Sequence, residues 1–338
     1  MLNATLHVKA EKCGFLGLLT LNRPQALNAL DHDMVRALTA QLHAWATDEK
    51  IKTVAIRGAG ARAFCAGGDI RAVHQAVAAG SDAGLAFLRD EYRMNALIAA
   101  YPKPYIALVH GICMGGGAGV SVHGRYRLAD ATLSFAMPET GIGFIPDIGS
   151  SYFLSRLPDE MGMYLALTGA AIGLADALEL ELMTHAVARE DFDAVMEGLA
   201  QGEDFAPYVR KCEAGKFAPH RKRIATAFAA GSVEAILERL DRDSGDFARD
   251  TARTIRTRSP ISLKLVFEEL RRARGMTLKE CLTMELRLAK HVLVGHDFGE
   301  GIRAALVDRD RNPKWQPPSL AGVGDLERFF APIQDELF

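Results

Sequence analysis

Apolar and polar positions in the first part of the chain alternate between a strand period and a helix period. The run Phe15 to Leu21 is short and rich in Leu and reads as a strand, broken by Asn22-Arg23-Pro24. Asp31 stands where a helix cap would, and Met34, Val35, Leu38, Leu42 and Trp45 recur at helical spacing behind it. Thr53 to Arg57 is strand-like and ends at Gly58. Residues 84–100 read as a helix, with Leu85, Leu88, Tyr92 and Leu97 among its apolar positions, and Tyr105 to Val109 follows as a buried strand. Strand, helix, strand, helix over this stretch predicts α/β crossovers rather than a bundle. Residues 151–200 look mostly helical with one short strand-like run, His185 to Val187. Helices are expected through 205–300, including a long candidate from Ser262 to Val294 broken near Gly275. Pro313, Pro317 and Pro318 mark an irregular tail, and no fixed-period repeat or low-complexity tract is present.

Composition narrows this picture without changing it. The 338 residues exceed one ordinary domain core, so a large domain with an appendage, or two domains, is expected. Hydrophobic residues at 49% and charged residues at 24% are ordinary for a globular chain. A formal net charge of −2 gives no long-range pull toward nucleic acid or an acidic membrane, and Arg271, Arg272 and Arg274 read as a solvated helix face. Cysteines at 13, 65, 113, 212 and 281 are odd in number and lack CxxC or Cys/His metal spacing, so neither a disulfide framework nor a structural zinc site is expected. Residues 1–10 lack a basic segment followed by an apolar core, and no apolar run approaches the ~20 residues of a membrane span. A cytoplasmic protein without a membrane anchor is the expectation.

Three segments carry candidate chemistry. Ala63-Phe64-Cys65-Ala66-Gly67-Gly68-Asp69-Ile70-Arg71 follows a strand and has no bulky residue from Ala66 to Gly68, which allows close approach of backbone to a ligand. Taken alone, it reads as an ordinary strand-to-helix turn. Gly111-Ile112-Cys113-Met114-Gly115-Gly116-Gly117-Ala118-Gly119 follows the strand Tyr105 to Val109 and opens a helix, where unpaired N–H groups suit a developing negative charge. The dinucleotide fingerprint GxGxxG fails here, because Val120 and Val122 occupy its third glycine position in the two available registers. Met137-Pro138-Glu139-Thr140-Gly141-Ile142-Gly143-Phe144-Ile145-Pro146-Asp147-Ile148-Gly149 sets two carboxylates eight residues apart in an apolar loop. Burial there suits a general base or acid, while solvated loop acids are the plain alternative. GxSxG and HExxH are absent, and Cys65 and Cys113 read as small buried structural residues rather than nucleophiles.

Together, in this order and spacing, the segments resemble the crotonase (enoyl-CoA hydratase/isomerase) superfamily. Asn22-Arg23-Pro24-Gln25-Ala26-Leu27-Asn28-Ala29-Leu30 looks like its NRP-x-x-x-NAL signature. Hydratases of that superfamily carry a glutamate in the second glycine segment and another in the third; here the first position is Gly119 and the second is Glu139. Phe135-Ala136-Met137-Pro138-Glu139-Thr140 with Pro146-Asp147 instead resembles the 3-hydroxyisobutyryl-CoA hydrolase branch. Glu91-Tyr92, Tyr101-Pro102-Lys103-Pro104, Leu167-Thr168-Gly169 and Thr184-His185 agree with it. So do Ser259-Pro260, Leu263-Lys264, Gly295-His296-Asp297-Phe298, Glu300 to Ala304, Asp308-Arg309-Asp310 and Pro313-Lys314-Trp315. Ser150-Ser151 departs from the pattern, where a further glycine is common, and little consequence is expected.

The resemblance implies an α/β fold with a crotonase-like ββα spiral core. Residues 1–200 would be the core with the CoA and acyl site. Residues 201–338 would be a mainly helical region packing on the core or on a neighbouring subunit. It implies that N–H groups of Gly68 and Gly116 form an oxyanion hole, each such donor typically worth ~2.7–4 kcal/mol. Glu139 would activate water or attack the thioester carbon itself, Asp147 would hold a 3-hydroxyl, and Glu91 would help to position the acyl group. Leu27, Ala63, Cys65, Ala66 and Arg71 would contact CoA, although Arg71 reads equally as a surface charge. No metal or other cofactor is implied, and the partner is a small acyl-CoA ester. The superfamily often forms trimers or dimers of trimers, which raises a homo-oligomer without requiring one. The implied reaction is thioester hydrolysis of 3-hydroxyisobutyryl-CoA in valine breakdown, with 3-hydroxypropionyl-CoA as a second substrate. A hydratase or isomerase using Glu139 alone and a catalytically silent acyl-CoA-binding protein are the alternatives.

Overall fold

The computed structural model of the chain describes residues 7–338, so the Met1 to Leu6 part of the N-terminus read above lies outside the described residues. The chain folds as α/β with two compact units, each assembled from several stretches. The first takes the stretch ending at Asp69, Asp90–Phe135 and Ile172–Lys216; the second takes Ile70–Arg89, Ala136–Ala171 and Phe217–Phe338. Residue 200 falls within the last stretch of the first unit.

The strands are β1 Val8–Cys13, β2 Leu16–Leu21, β3 Thr53–Gly58, β4 Ala63–Cys65, β5 Tyr105–Val109, β6 Ile112–Met114, β7 Tyr126–Ala129, β8 Ser134–Ala136, β9 His185–Val187 and β10 Val209–Arg210. Seven form one sheet in the order β1-β2-β3-β5-β7-β9-β10. Its inner pairs are parallel and its two outer pairs, β1 with β2 and β9 with β10, are antiparallel. β2 and β5 are buried at every position, as expected of inner strands covered on both faces. The helix His32–Ala46 begins where Asp31 accepts the Met34 N–H at 2.8 Å, and it buries Met34, Val35, Leu38, Leu42 and Trp45. Against the sheet, Leu16, Leu18, Ile106, Leu108 and Leu128 pack with Phe192, Val195, Met196 and Leu199 of the helix Phe192–Gln201. A second small sheet, β4-β6-β8, carries the two glycine segments.

The second unit is helical. The long run expected from Ser262 to Val294 is two helices, Pro260–Ala273 and Leu278–Leu293, parted around Gly275. Ser259 caps the first, with Pro260 at its first position; Thr277 and Glu280 form a capping box on the second. Tyr164 gathers Phe217 and Phe228, each with ring centroids 5.4 Å away. The tail is more ordered than its prolines suggest: Glu327–Phe330 is a short helix with Phe329 and Phe330 buried. Arg303 ties it down through Glu300 at 2.8 Å, Asp308 at 2.6 Å and Asp310 at 2.7 Å. All five cysteines are free. Among the described residues no helix is long and apolar enough to cross a membrane.

Candidate active site

In the first unit the glycine loops are held by the NRP-x-x-x-NAL segment. Leu27 and Asn28 adopt left-handed backbone, φ 52° and 57°. Asn28, fully buried, donates to the Ala59 and Ala63 carbonyls at 2.9 Å each and accepts the Arg23 N–H at 3.0 Å. Leu30 then forms an isolated parallel bridge to Gly68, donating to the Gly67 carbonyl at 2.8 Å and accepting from the Asp69 N–H at 2.8 Å. In a parallel bridge of this kind the flanking residues use their polar groups, so the N–H of Gly68 itself faces away from Leu30. Gly116 opens the helix Gly116–Val122, and the first N–H of a helix has no acceptor within it.

The two backbone segments approach each other closely. A Cβ built on Gly116 would lie 3.2 Å from the Gly68 nitrogen, and one built on Gly67 would lie 3.8 Å from the Gly116 nitrogen. Gly117 must be glycine for another reason: its Cβ would stand 2.3 Å from the Cys65 carbonyl oxygen. Glu91, on the helix Ala83–Ala99 and only 2% exposed, brings Oε1 to 2.4 Å from the same Gly116 Cβ position. Gly68, Gly116 and Glu91 are therefore brought close together.

The other expected CoA contacts divide. Ala63 and Cys65 are buried, whereas Leu27 and Ala66 keep partly open surfaces and are joined by the Ala66 N–H to the Leu27 carbonyl at 3.0 Å. Arg71, in the second unit, donates to the Leu306 carbonyl at 2.8 Å. Burial pushes the Cys65 thiol far up and the Cys113 thiol to about 12, so both favour the protonated, unreactive form.

In the second unit, Glu139 opens the short turn Glu139–Ile142, and Asp147 follows in the same loop. Both are buried, at 7% and 5% exposure. Their loop is braced by the C-terminal motifs. Ser259 donates its N–H to the Thr140 carbonyl at 3.2 Å and its hydroxyl to Asp297 at 2.6 Å. Gly143 sits so close to the Asp297 carbonyl that a Cβ would lie 2.2 Å from its oxygen, and Gly301 meets Ile142 in the same way at 2.3 Å.

Two further acids in this unit escaped the sequence reading. Glu269 and Glu285, 1% and 0% exposed, lie on the helices Pro260–Ala273 and Leu278–Leu293. Burial pushes both carboxyls up. At Glu269 the charges of Glu285, Asp147 and Glu139 push further; at Glu285 hydrogen bonds from Ser151 and Gly149 oppose the rise. A signal was present: each glutamate falls at the spacing of its helix's buried residues, Glu269 after Leu265 and Val266, Glu285 after Cys281 and Leu282.

Comparison with known proteins places this arrangement. A family model described as Enoyl-CoA hydratase/isomerase matches residues 16–330. The zebrafish (Danio rerio) protein named 3-hydroxyisobutyryl-CoA hydrolase, mitochondrial, is 44% identical over 97% of this chain and 90% of its own length. A solved structure titled as a carnitinyl-CoA dehydratase from Mycobacterium thermoresistibile superposes with a TM-score of 0.95 at 41% identity, covering 99% of both chains. One titled as an enoyl-CoA hydratase from Rhodobacter sphaeroides 2.4.1 superposes with a TM-score of 0.92 at 37% identity, covering 97% of this chain and 98% of that one. The crotonase-like fold expected from the motifs is thus the observed one, and the chain belongs to the enoyl-CoA hydratase/isomerase family, in the branch of the 3-hydroxyisobutyryl-CoA hydrolases.

Proposed function

We propose that the protein hydrolyses the thioester of 3-hydroxyisobutyryl-CoA to the free acid and CoA, a step of valine catabolism, with 3-hydroxypropionyl-CoA as a further substrate. The observation that carries the reading is the close approach of the Gly68 and Gly116 backbones beside Glu91: a Cβ on Gly116 would lie 3.2 Å from the Gly68 nitrogen. A carbonyl oxygen held by both N–H groups would meet fixed donors that need not reorganise as charge develops on it. Glu139 delivers the oxygen nucleophile, by taking a proton from water or by attacking the carbonyl carbon as a carboxylate. The carbon–sulfur bond then breaks, and the CoA thiolate leaves and takes a proton; where Glu139 is the attacking group, water then hydrolyses the acyl-Glu139 anhydride to the free acid and the carboxylate. Asp147 binds the 3-hydroxyl. Gly119, where hydratases keep a second acid, removes the group that would activate water at Cβ. The scheme requires no metal or other cofactor.

Thiol release from 3-hydroxyisobutyryl-CoA, measured with a chromogenic disulfide, tests the reading. It is expected in the wild type and lost in Glu139→Gln; unchanged release in that variant would remove Glu139 from the mechanism. Label from solvent oxygen-18 in a single turnover can enter Glu139 only if it is the nucleophile, through water attack on the Glu139 carbonyl of the anhydride. A second reading, hydration or isomerisation of an enoyl ester, is favoured by the printed titles of the two solved relatives. Loss of crotonyl-CoA absorbance without thiol release would select it. The five free cysteines suit a reducing cytoplasm, whereas the curated relatives are named mitochondrial; fractionation of the native cells decides. A trimer or dimer of trimers is the assembly weighed by light scattering.

A further inference from the structure

The turn that carries Asp147 is backbone-strained. Ile148 adopts φ 61° and Gly149 φ 81°. A left-handed conformation is easy for glycine but unfavourable for a β-branched residue, and it persists only where the surroundings over-determine it. The Ser150 N–H closing back on the Asp147 carbonyl at 2.9 Å is one such constraint.

The second constraint is Glu285. Its Oε2 accepts the Gly149 N–H at 2.6 Å, and its Oε1 accepts the Ser151 N–H at 2.9 Å and the Ser151 hydroxyl at 2.6 Å. Three donors on one buried carboxylate compensate for its removal from water. They also hold Gly149, the second of the two left-handed residues, and Ser151 just beyond it. Ser151, the departure from the family pattern expected to matter little, supplies two of the three. Glu269 is the complement: its Oε1 has no hydrogen-bond partner among the described residues, and it lies near enough to Glu285 to feel its charge. Burial raises both carboxyls, and the three donors favour the charged form at Glu285 over Glu269.

We propose that Glu285 is a positioning residue for the reaction: its carboxyl group clamps the turn at Gly149 and Ser151 and so sets where Asp147 presents its carboxylate. This rests on the reading of Asp147 as the group that binds the substrate's 3-hydroxyl. The clamp predicts a specificity effect rather than a general one. In Glu285→Gln the amide NH₂ opposes an N–H donor, and in Ser151→Ala one of the three bonds is gone while the fold is least disturbed.

The test compares kcat/KM for 3-hydroxyisobutyryl-CoA and isobutyryl-CoA, together with amide hydrogen exchange across residues 147–152, in wild type, Glu285→Gln and Ser151→Ala. The preference for the hydroxylated ester is expected to fall about tenfold in Glu285→Gln, and by less in Ser151→Ala, as Asp147 shifts. Exchange in the turn should quicken by a similar factor. Equal loss on both esters, or a preference within about twofold of wild type in folded variants, overturns the proposal. Should the wild type release thiol from neither ester, the hydrolase reading fails; the clamp is then judged by exchange alone, and unchanged exchange in both variants overturns it. Should Glu285→Gln fail to fold, Ser151→Ala decides by the same two measurements.

Discussion

Gly116→Ala puts the oxyanion assignment under the sharpest strain. The added methyl would lie 3.2 Å from the Gly68 nitrogen, which is the distance at which a hydrogen-bonded carbonyl oxygen sits. It would therefore crowd the space beside the Gly68 donor. It would also stand 2.4 Å from Glu91 Oε1, whereas ordinary contact begins at 3.4 Å, so the carboxylate must withdraw by about 1 Å. Loss of one oxyanion donor costs about 10²–10³ in kcat, and a misplacement of about 1 Å costs about 10². A fall in kcat of about 10²–10³, with a smaller change in KM, is expected. Stability should change little, because the nearest obstacle is the end of a side chain: a Tm within about 4 °C of wild type, equivalent to about 1 kcal/mol. Gly117→Ala is the contrast. Its methyl would lie 2.3 Å from the Cys65 carbonyl oxygen, a backbone atom with no freedom to yield, so it should lower Tm strongly. Thiol-release kinetics on 3-hydroxyisobutyryl-CoA and thermal melts of both variants provide the comparison. A folded Gly116→Ala protein that keeps kcat within about threefold would refute the oxyanion role.

Two other substitutions separate the acids. Asp147→Asn should reduce kcat/KM on 3-hydroxyisobutyryl-CoA by about tenfold while leaving isobutyryl-CoA within about twofold, since a hydrogen bond to a charged group is worth more than a neutral one; equal losses on both esters would count against a hydroxyl contact. Glu269→Gln tests the buried proton. Burial, then the charges of Glu285, Asp147 and Glu139, hold that carboxyl well above its ordinary value of 4.5. The folded chain thus keeps a proton that the unfolded chain releases, and stability falls as pH rises from about 4.5 through the raised value, by up to about tenfold in the folding equilibrium per unit. Melts between about pH 5 and about pH 9 should show a shallower decline in Glu269→Gln than in wild type; identical slopes would place the proton elsewhere.

What the amino-acid sequence made legible follows from the length of each signal. Tyr105 to Val109 is a five-residue apolar run between a helix and a glycine segment, and it is β5 residue for residue. The helix behind Asp31 combines a cap with a long apolar stripe. β4, β6 and β8, three residues each, lie in or beside the glycine-bearing and loop segments and do not read as separate strands. β1 is an outer strand with only Val8 buried, and the helix Ile70–Ala78 buries only Val73, so neither carries an apolar pattern. Gly68, Gly116, Glu91, Glu139 and Asp147 were named as candidate residues through motifs. Their geometry was not legible, because the approach of Gly68 to Gly116 depends on a bridge between Leu30 and Gly68, far apart in the chain. Glu269 and Glu285 were passed over because a glutamate on a helix ordinarily faces water.

Those two glutamates change what the C-terminal helices are for. Were the region after residue 217 only a cover or a subunit contact, its inward positions would be apolar, since burying an acid costs stability that packing alone would not demand. Instead three of the buried polar residues there, Ser259, Glu285 and Asp297, meet one segment of the second unit. Ser259 reaches the Thr140 carbonyl, Asp297 and Gly301 press on Gly143 and Ile142, and Glu285 holds Gly149 and Ser151. Between them they brace the loop on both sides of Asp147 and next to Glu139. The match of the C-terminal motifs to the hydrolase branch then has a physical cause: a carboxylate that must be held to a fraction of an ångström needs support from outside its own loop, and here that support comes from more than a hundred residues further along the chain.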